Sequence, residues 1–225
     1  VAVEASEPGT FLALLAESDR AALAKLGGRR RFARGQHLMH QGEPGDRVLI
    51  LRRGHVKATF VEPDGKEIVL SFRGPGDVLG ELSFARSESR SSNVVAIEPV
   101  EAQALAAAEF SSFLSRTPSA ALTLIDVIGR RFRDANRARV RFGASDTLGR
   151  VAARMVELCE RYGEPADGGV AIRLPLTQED LAAWTGSSRA AVADALRTMR
   201  RLGWIETARR RIVVLDLDAV RARAG

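Results

Sequence analysis

Cysteine is nearly absent: Cys159 is the only one in 225 residues. A single cysteine excludes an intramolecular disulfide and any zinc or iron–sulfur site built on several cysteines of one chain. It suits a reducing compartment, so a cytoplasmic location is expected. No apolar run approaches the ~20 residues that a membrane span needs, so no membrane partner is expected. The first ten residues, VAVEASEPGT, are acidic and lack a basic stretch, so no signal peptide is expected. Aromatic residues make up only 5% and histidines number three. A metal-dependent enzyme needs two or three histidines and a carboxylate converging on one point. His37 and His40 are three apart and should face opposite sides of a strand, so no metal site and no enzymatic activity are expected. What the chain does have is 45% hydrophobic and 28% charged residues. That is a folded chain with one large or two ordinary domains, not a disordered one.

The charge is unevenly divided. Residues 1–117 hold 15 Lys+Arg and 15 Asp+Glu, whereas residues 118–225 hold 19 and 13. All of the net +6 therefore lies in the second half. A basic half joined to a neutral half suits a polyanion-binding module attached to something else, although a solvated arginine-rich surface has the same composition.

The texture of the chain divides it further. Residues 11–26 read as a helix that Ser18-Asp19 breaks or re-caps. From Phe32 to about Ala108, short β-rich runs (VLILRR, HVKATFVE, EIVLSF, DVLGEL, NVVAIE, EAQALA) alternate with Gly, Pro and Asp clusters. Strands at such close spacing predict a jelly roll or barrel rather than a parallel sheet. Glu109–Arg116 reads as a short helix. Residues 119–142 read as a long one, with Ile125, Ile128, Phe132, Ala135, Arg139 and Phe142 in steps of three and four, a seam that packs on the chain's own domain or, in the preferred reading, on a partner copy as a parallel two-chain coil. GASD at 143–146 should end it and cap the next helix, Thr147–Tyr162, through Ser145 or Asp146, and Gly163–Gly169 reads as a loop. The expected domains are 1–117, the long helix 118–143, and 144–225.

Residues 170–215 carry the sharpest pattern. VAIRLPL reads as a strand, and Thr177 fits an N-cap with Asp180 at N3. A short helix Gln178–Trp184 follows, then Gly186 where a sharp turn needs positive φ, then a second helix capped by Ser188 and running to about Arg201. Ala182, Gly186 and Val192 occupy the three internal positions that a helix-turn-helix restricts to a small residue, a glycine and a β-branched apolar residue. An ordinary αα-hairpin is the plainer reading of the same elements. Ser187, Ser188, Arg189, Ala190, Ala191 and Asp194 then lie near the start of a recognition helix, and Arg189 could pair with guanine O6 and N7. GWIETARRRIVVLD reads as a wing with Arg209, Arg210 and Arg211 at its tip, suited to a phosphate backbone, and Trp184 and Trp204 read as core.

One stretch of the first half has site chemistry: GPGDVLGELSFARSESRSS at 74–92. Gly80 precedes Glu81-Leu82-Ser83, whose amides could turn toward an anion. Arg90 could neutralise a phosphate, Ser91 adds a hydroxyl, and Glu81 could accept from a ribose hydroxyl or pair with Arg90. A turn with a surface ion pair explains the residues as well.

Taken in order, G-E-L…R-S in a β-roll, a long helix and a winged helix-turn-helix resemble the CRP/FNR family of bacterial transcription regulators. The resemblance rests on GDRVLILRRGHVK (45–57), PDGKEIVLSFRGPGDVLGELSF (63–84), SDTLGRVA (145–152) and TQEDLAAWTGSSRAAVADALRTM (177–199). It implies an α+β fold: an N-terminal cyclic-nucleotide-binding β-roll (a double-stranded jelly roll), a long dimerisation helix and a C-terminal winged helix-turn-helix. It implies that Gly80, Glu81, Leu82, Arg90 and Ser91 hold a cyclic nucleotide, cAMP or a relative, with Glu81 on the ribose and Arg90 and Ser91 on the phosphate. The adenine-facing pair of the family falls at Ala135 and Asn136, so one expected hydroxyl is replaced by a methyl. On DNA, Arg189 matches the guanine-reading arginine, and Thr177, Gln178 and Ser188 match phosphate contacts. Ala190 and Asp194 stand where the family has Glu and Arg, which implies a related but different half-site. The partners implied are a pseudo-palindromic double-stranded DNA, a second copy of the chain, and RNA polymerase as a further candidate. Haem and iron–sulfur sensing, present elsewhere in the family, are not expected here.

Overall fold

The computed structural model describes residues 6–84, 88–208 and 211–225, with backbone alone for 141–144. Arg209 and Arg210, two of the expected DNA contacts, lie outside the described residues. The chain forms two compact units, Val1–Phe132 and Arg133–Gly225.

In the first unit, eight strands build two four-stranded antiparallel sheets. They are β1 (Gly28–Phe32), β2 (His37–Met39), β3 (Arg47–Arg53), β4 (Val56–Val61), β5 (Glu67–Arg73), β6 (Val78–Leu79), β7 (Asn93–Ala96) and β8 (Val100–Ala106). One sheet runs β1-β8-β3-β6 and the other β2-β7-β4-β5, which is the expected jelly roll. Strand β3 shows why the roll has two cores. Leu49 and Leu51 point into the space between the sheets with Leu38, Met39, Val56, Leu79 and Val94. Val48 and Ile50 point the other way, into a layer closed by helices α1 (Phe11–Leu14), α2 (Glu17–Leu23), α3 (Ala107–Arg116) and the start of α4 (Pro118–Ala144). A strand covered on both faces needs a continuous apolar run, and VLIL provides it.

Several expectations change here. The N-terminal helix breaks at Leu15-Ala16, not at Ser18-Asp19, and Glu17 and Asp19 begin α2 instead. Strand β1, GRRRF, has no apolar alternation because it is a sheet edge with four exposed residues. His37 and His40 do not face opposite ways. A register shift in β2 brings their rings into a parallel stack with centroids 4.4 Å apart. Of the residues expected on the seam of α4, Ile125 and Phe132 face outward and Ile128 packs on the roll. Ala120, Leu124 and Val127 are buried against the roll, and Ile128 packs beside them. Leu122, Ile125 and Phe132 are about two-thirds exposed (68%, 65% and 67%) and make the outward stripe.

The second unit contains the rest of α4, then α5 (Thr147–Tyr162), α6 (Gln178–Thr185), α7 (Arg189–Arg201) and α8 (Leu217–Ala224). They pack with a sheet β11-β12-β10-β9, in which β9 is Gly163–Ala166, β10 Gly169–Ile172, β11 Ile205–Ala208 and β12 Arg211–Val214. The segment read as a loop at 163–169 is thus a tight hairpin. The strand read over VAIRLPL stops at Ile172. Asp146 is the N-cap of α5, accepting from the Gly149 amide, and Arg223 grips the same carboxylate at 2.5 Å. Trp184 is buried under the Arg154 guanidinium, 4.3 Å from its ring, and Trp204 is half-buried.

Candidate ligand cassette and nucleic-acid interface

The cassette is built on Gly80. Its φ of +79° is left-handed, and a Cβ there would collide with the Arg90 guanidinium and the Met39 methyl. Glycine therefore lets a loop and an arginine close on each other at this point. Arg90 is buried, 5% exposed. It donates to the Gly80 carbonyl (3.2 Å), the Ser83 hydroxyl (2.8 Å) and the Arg47 carbonyl (2.6 Å), and it faces Asp46 at 3.6 Å. Burial pulls its pKa below the usual arginine range, and Asp46 opposes that pull. A buried arginine held mainly by neutral acceptors keeps most of its charge for an incoming anion.

Glu81 does not pair with Arg90. Its carboxylate takes Arg131 of α4 at 2.6 Å. Arg131 also binds Asp77 at 2.6 Å and donates to the Val78 carbonyl at 3.0 Å. Burial works against its charge, but Glu81 and Asp77 outweigh burial and raise its pKa. Arg131 was missed in the sequence, though a signal existed. It continues the buried stripe Ala120, Leu124, Val127 by four residues, a charge where an apolar residue is due. Leu82 is 60% exposed and Ser91 is exposed. Ala135 and Asn136 are exposed and belong to the second unit. The structure thus brings Gly80 and Arg90 together, and ties Glu81 to α4 instead of to Arg90.

On the nucleic-acid side the helix-turn-helix has the expected local chemistry. Thr177 and Asp180 form a reciprocal capping box. Gly186 sits at φ +60° and donates to the Ala182 carbonyl. Val192, Leu181 and Leu196 are buried between the helices. The Ser188 hydroxyl caps α7 by accepting from the Ala191 amide at 3.2 Å. Thr177, Gln178, Ser188, Arg189, Ala190 and Asp194 are exposed, and Ala191 is half-buried. Ser187 is turned to the protein, where Arg150 donates to its hydroxyl at 3.0 Å. Asp194 pairs with Arg197 at 2.7 Å, so the acid that replaces a family arginine is neutralised by an arginine one turn on. Neither Arg150 nor Arg197 was singled out from the sequence.

Residues 29–117 match the cyclic nucleotide-binding domain family and residues 149–223 the Crp-like helix-turn-helix domain family. A CRP-like cAMP-activated global transcriptional regulator from Mycobacterium tuberculosis is 33% identical over 193 residues, 86% of either chain. The chain belongs to the CRP/FNR family of transcription regulators. Solved structures of the family agree with the fold. A CRP-family transcriptional regulator from Thermus thermophilus superposes with a TM-score of 0.73 at 26% identity, covering 87% of this chain and 96% of its own. The c-di-GMP responsive regulator CLP from Xanthomonas campestris has the same TM-score, 0.73, at 20% identity over 88% of this chain and 99% of its own, and bears on the fold alone. The family joins a cyclic nucleotide-binding domain to a DNA-binding one, and its members are regulators rather than enzymes. Among the described residues no helix is long and apolar enough to cross a membrane. No group of three or more metal-ligating side chains occurs there either.

Proposed function

We propose that the chain is a homodimeric, DNA-binding regulator whose operator affinity is set by a cyclic nucleotide, with cAMP the first candidate. The observation that carries this reading is the Gly80–Arg90 closure: a left-handed glycine packed on a buried guanidinium that no carboxylate holds closely. Arg90, the Ser91 hydroxyl and the amides after Gly80 would receive the cyclic phosphate, and Glu81 the ribose hydroxyl. Asn136 is the candidate for the base. Because Glu81 is held by Arg131 of the long helix, a nucleotide that engages Glu81 changes what that helix is attached to. That is a physical route from ligand to helix, and it requires the ligand to favour one helix arrangement by a coupling energy of ~1–3 kcal/mol. The outward stripe Leu122, Ile125 and Phe132 supports pairing with a second copy. Paired recognition helices led by Arg189 would then read a pseudo-palindrome, with Thr177, Gln178 and Ser188 on phosphates.

Ala135 favours a second reading, in which the effector is another cyclic nucleotide or the regulator is competent without one. Calorimetric titration with cAMP and then cyclic GMP, with Arg90→Ala as control, separates the two. Binding of cAMP that the substitution abolishes supports the first reading. Binding of neither nucleotide overturns the cAMP reading in favour of a different effector or a constitutive regulator.

A further inference from the structure

A cleft of the first unit is lined by Gly28, Arg29, Arg30, Asp46, Arg47 and the β8 residues Ala104–Ala106. Pairing register explains its shape. Gly28 lies opposite Ala104 and Arg47 opposite Ala106, so Gly28, Arg30, Arg47, Ala104 and Ala106 share one face of the sheet. The three small residues leave a floor, with nothing above Gly28 where a Cβ would stand. Arginines rise at its edges. Their charge is under-compensated. Asp46 serves both Arg47 (3.0 Å) and Arg90 (3.6 Å). Arg30 has no acidic partner among the described residues. Fork-shaped donors around a small-residue floor match the oxygens of a compact, multiply charged anion.

We propose that this cleft binds a polyphosphate chain, free or carried on a nucleotide, and that its occupation opposes ligand binding in the cassette. The coupling follows from Asp46. A phosphate on Arg47 draws that guanidinium off Asp46, whose carboxylate is then left to Arg90. Arg90 is thereby held in its inward position, donating to the Arg47 and Gly80 carbonyls, and is withheld from a cyclic phosphate. This coupling rests on the cassette reading above, whereas the binding itself does not.

The test is calorimetric titration of the full chain with sodium tripolyphosphate, and with ATP in parallel. The expected result is binding of both with similar affinity, weakened about tenfold by Arg30→Ala and again by Arg47→Gln, as for the loss of one charge-assisted contact each. Both side chains are on the surface, and an unchanged thermal melt shows that the variants are folded. Binding that ignores both substitutions means an adventitious ion only and overturns the site. So does binding of ATP without tripolyphosphate, or of double-stranded DNA alone. Saturating tripolyphosphate should then weaken cAMP binding at least about fivefold in the parent chain, and little in Asp46→Asn. An unchanged cAMP affinity overturns the coupling. Absence of cAMP binding at any tripolyphosphate concentration is a failure of the cassette reading, and the polyphosphate titration reports independently of it.

Discussion

Replacing Arg131 with Gln should destabilise the chain by about 3–5 kcal/mol, the usual cost of removing one member from a buried ion pair. The magnitude follows from burial. The Arg131 side chain is 16% exposed, Asp77 4% and Glu81 9%, so screening by water is weak. The arginine bridges two carboxylates at 2.6 Å each, and its loss removes that bridge. Gln removes the charge and is shorter than Arg, so the loss combines the missing cation with a small void. Against a typical total of ~5–15 kcal/mol this is a large fraction. The assay is urea unfolding of the full chain followed by far-UV circular dichroism at neutral pH. Replacing all three groups with neutral ones (Arg131→Met, Asp77→Asn, Glu81→Gln) should restore part of the loss, since no uncompensated charge is then left buried. A loss below about 1 kcal/mol, typical of an exposed pair, would refute the claim that this cluster anchors α4 to the roll.

Gly80→Ala combines a left-handed backbone with a collision against Arg90, so it should cost about 1–3 kcal/mol and abolish cyclic nucleotide binding, read by thermal melt and calorimetry. His55 lies between Glu7 at 2.8 Å and Glu98 at 2.5 Å; burial opposes its charge, but the two carboxylates overcome burial and raise its pKa from 6.5 to about 9. Its contribution, about 3 kcal/mol, is complete below pH 6.5 and lost as pH rises through about 9; denaturation between pH 6 and pH 10 should show that slope, and His55→Gln should flatten it. Arg189→Ala should weaken operator binding by about 1–3 kcal/mol and leave binding to unrelated DNA much less changed; an equal loss on both would make it a phosphate contact.

The parts of the fold that were legible are those with a local cause. The capping box of Thr177 and Asp180, the left-handed Gly186 and the Asp146 cap lie within a few residues of what they control. Strand β3 announces itself through VLIL. Strand β1 does not, because an edge strand with exposed arginines has no apolar face to alternate. Strand β9 hides in Gly-Glu-Pro-Ala, where a proline reads as a loop although an edge position tolerates it. In the cassette, Gly80 and Arg90 were legible as residue types at a fixed spacing. Arg131 with Glu81, and His55 with Glu7, join residues 50 and 48 positions apart. Such contacts are set by how the roll closes, which no local pattern encodes. The same holds for the stacked His37 and His40, which depend on a register shift rather than on strand period.

The aromatic inventory has an optical consequence. Trp184, Trp204 and Tyr162, every indole and phenol of the chain, stand in the second unit, and the first has only phenylalanines. Intrinsic fluorescence therefore looks at the second unit alone. A nucleotide settling at Gly80 and Arg90 has no fluorophore of its own unit to disturb. A change in emission beyond the nucleotide's own inner-filter attenuation therefore reports on the second unit, with Trp184 beneath the Arg154 guanidinium as one receiver.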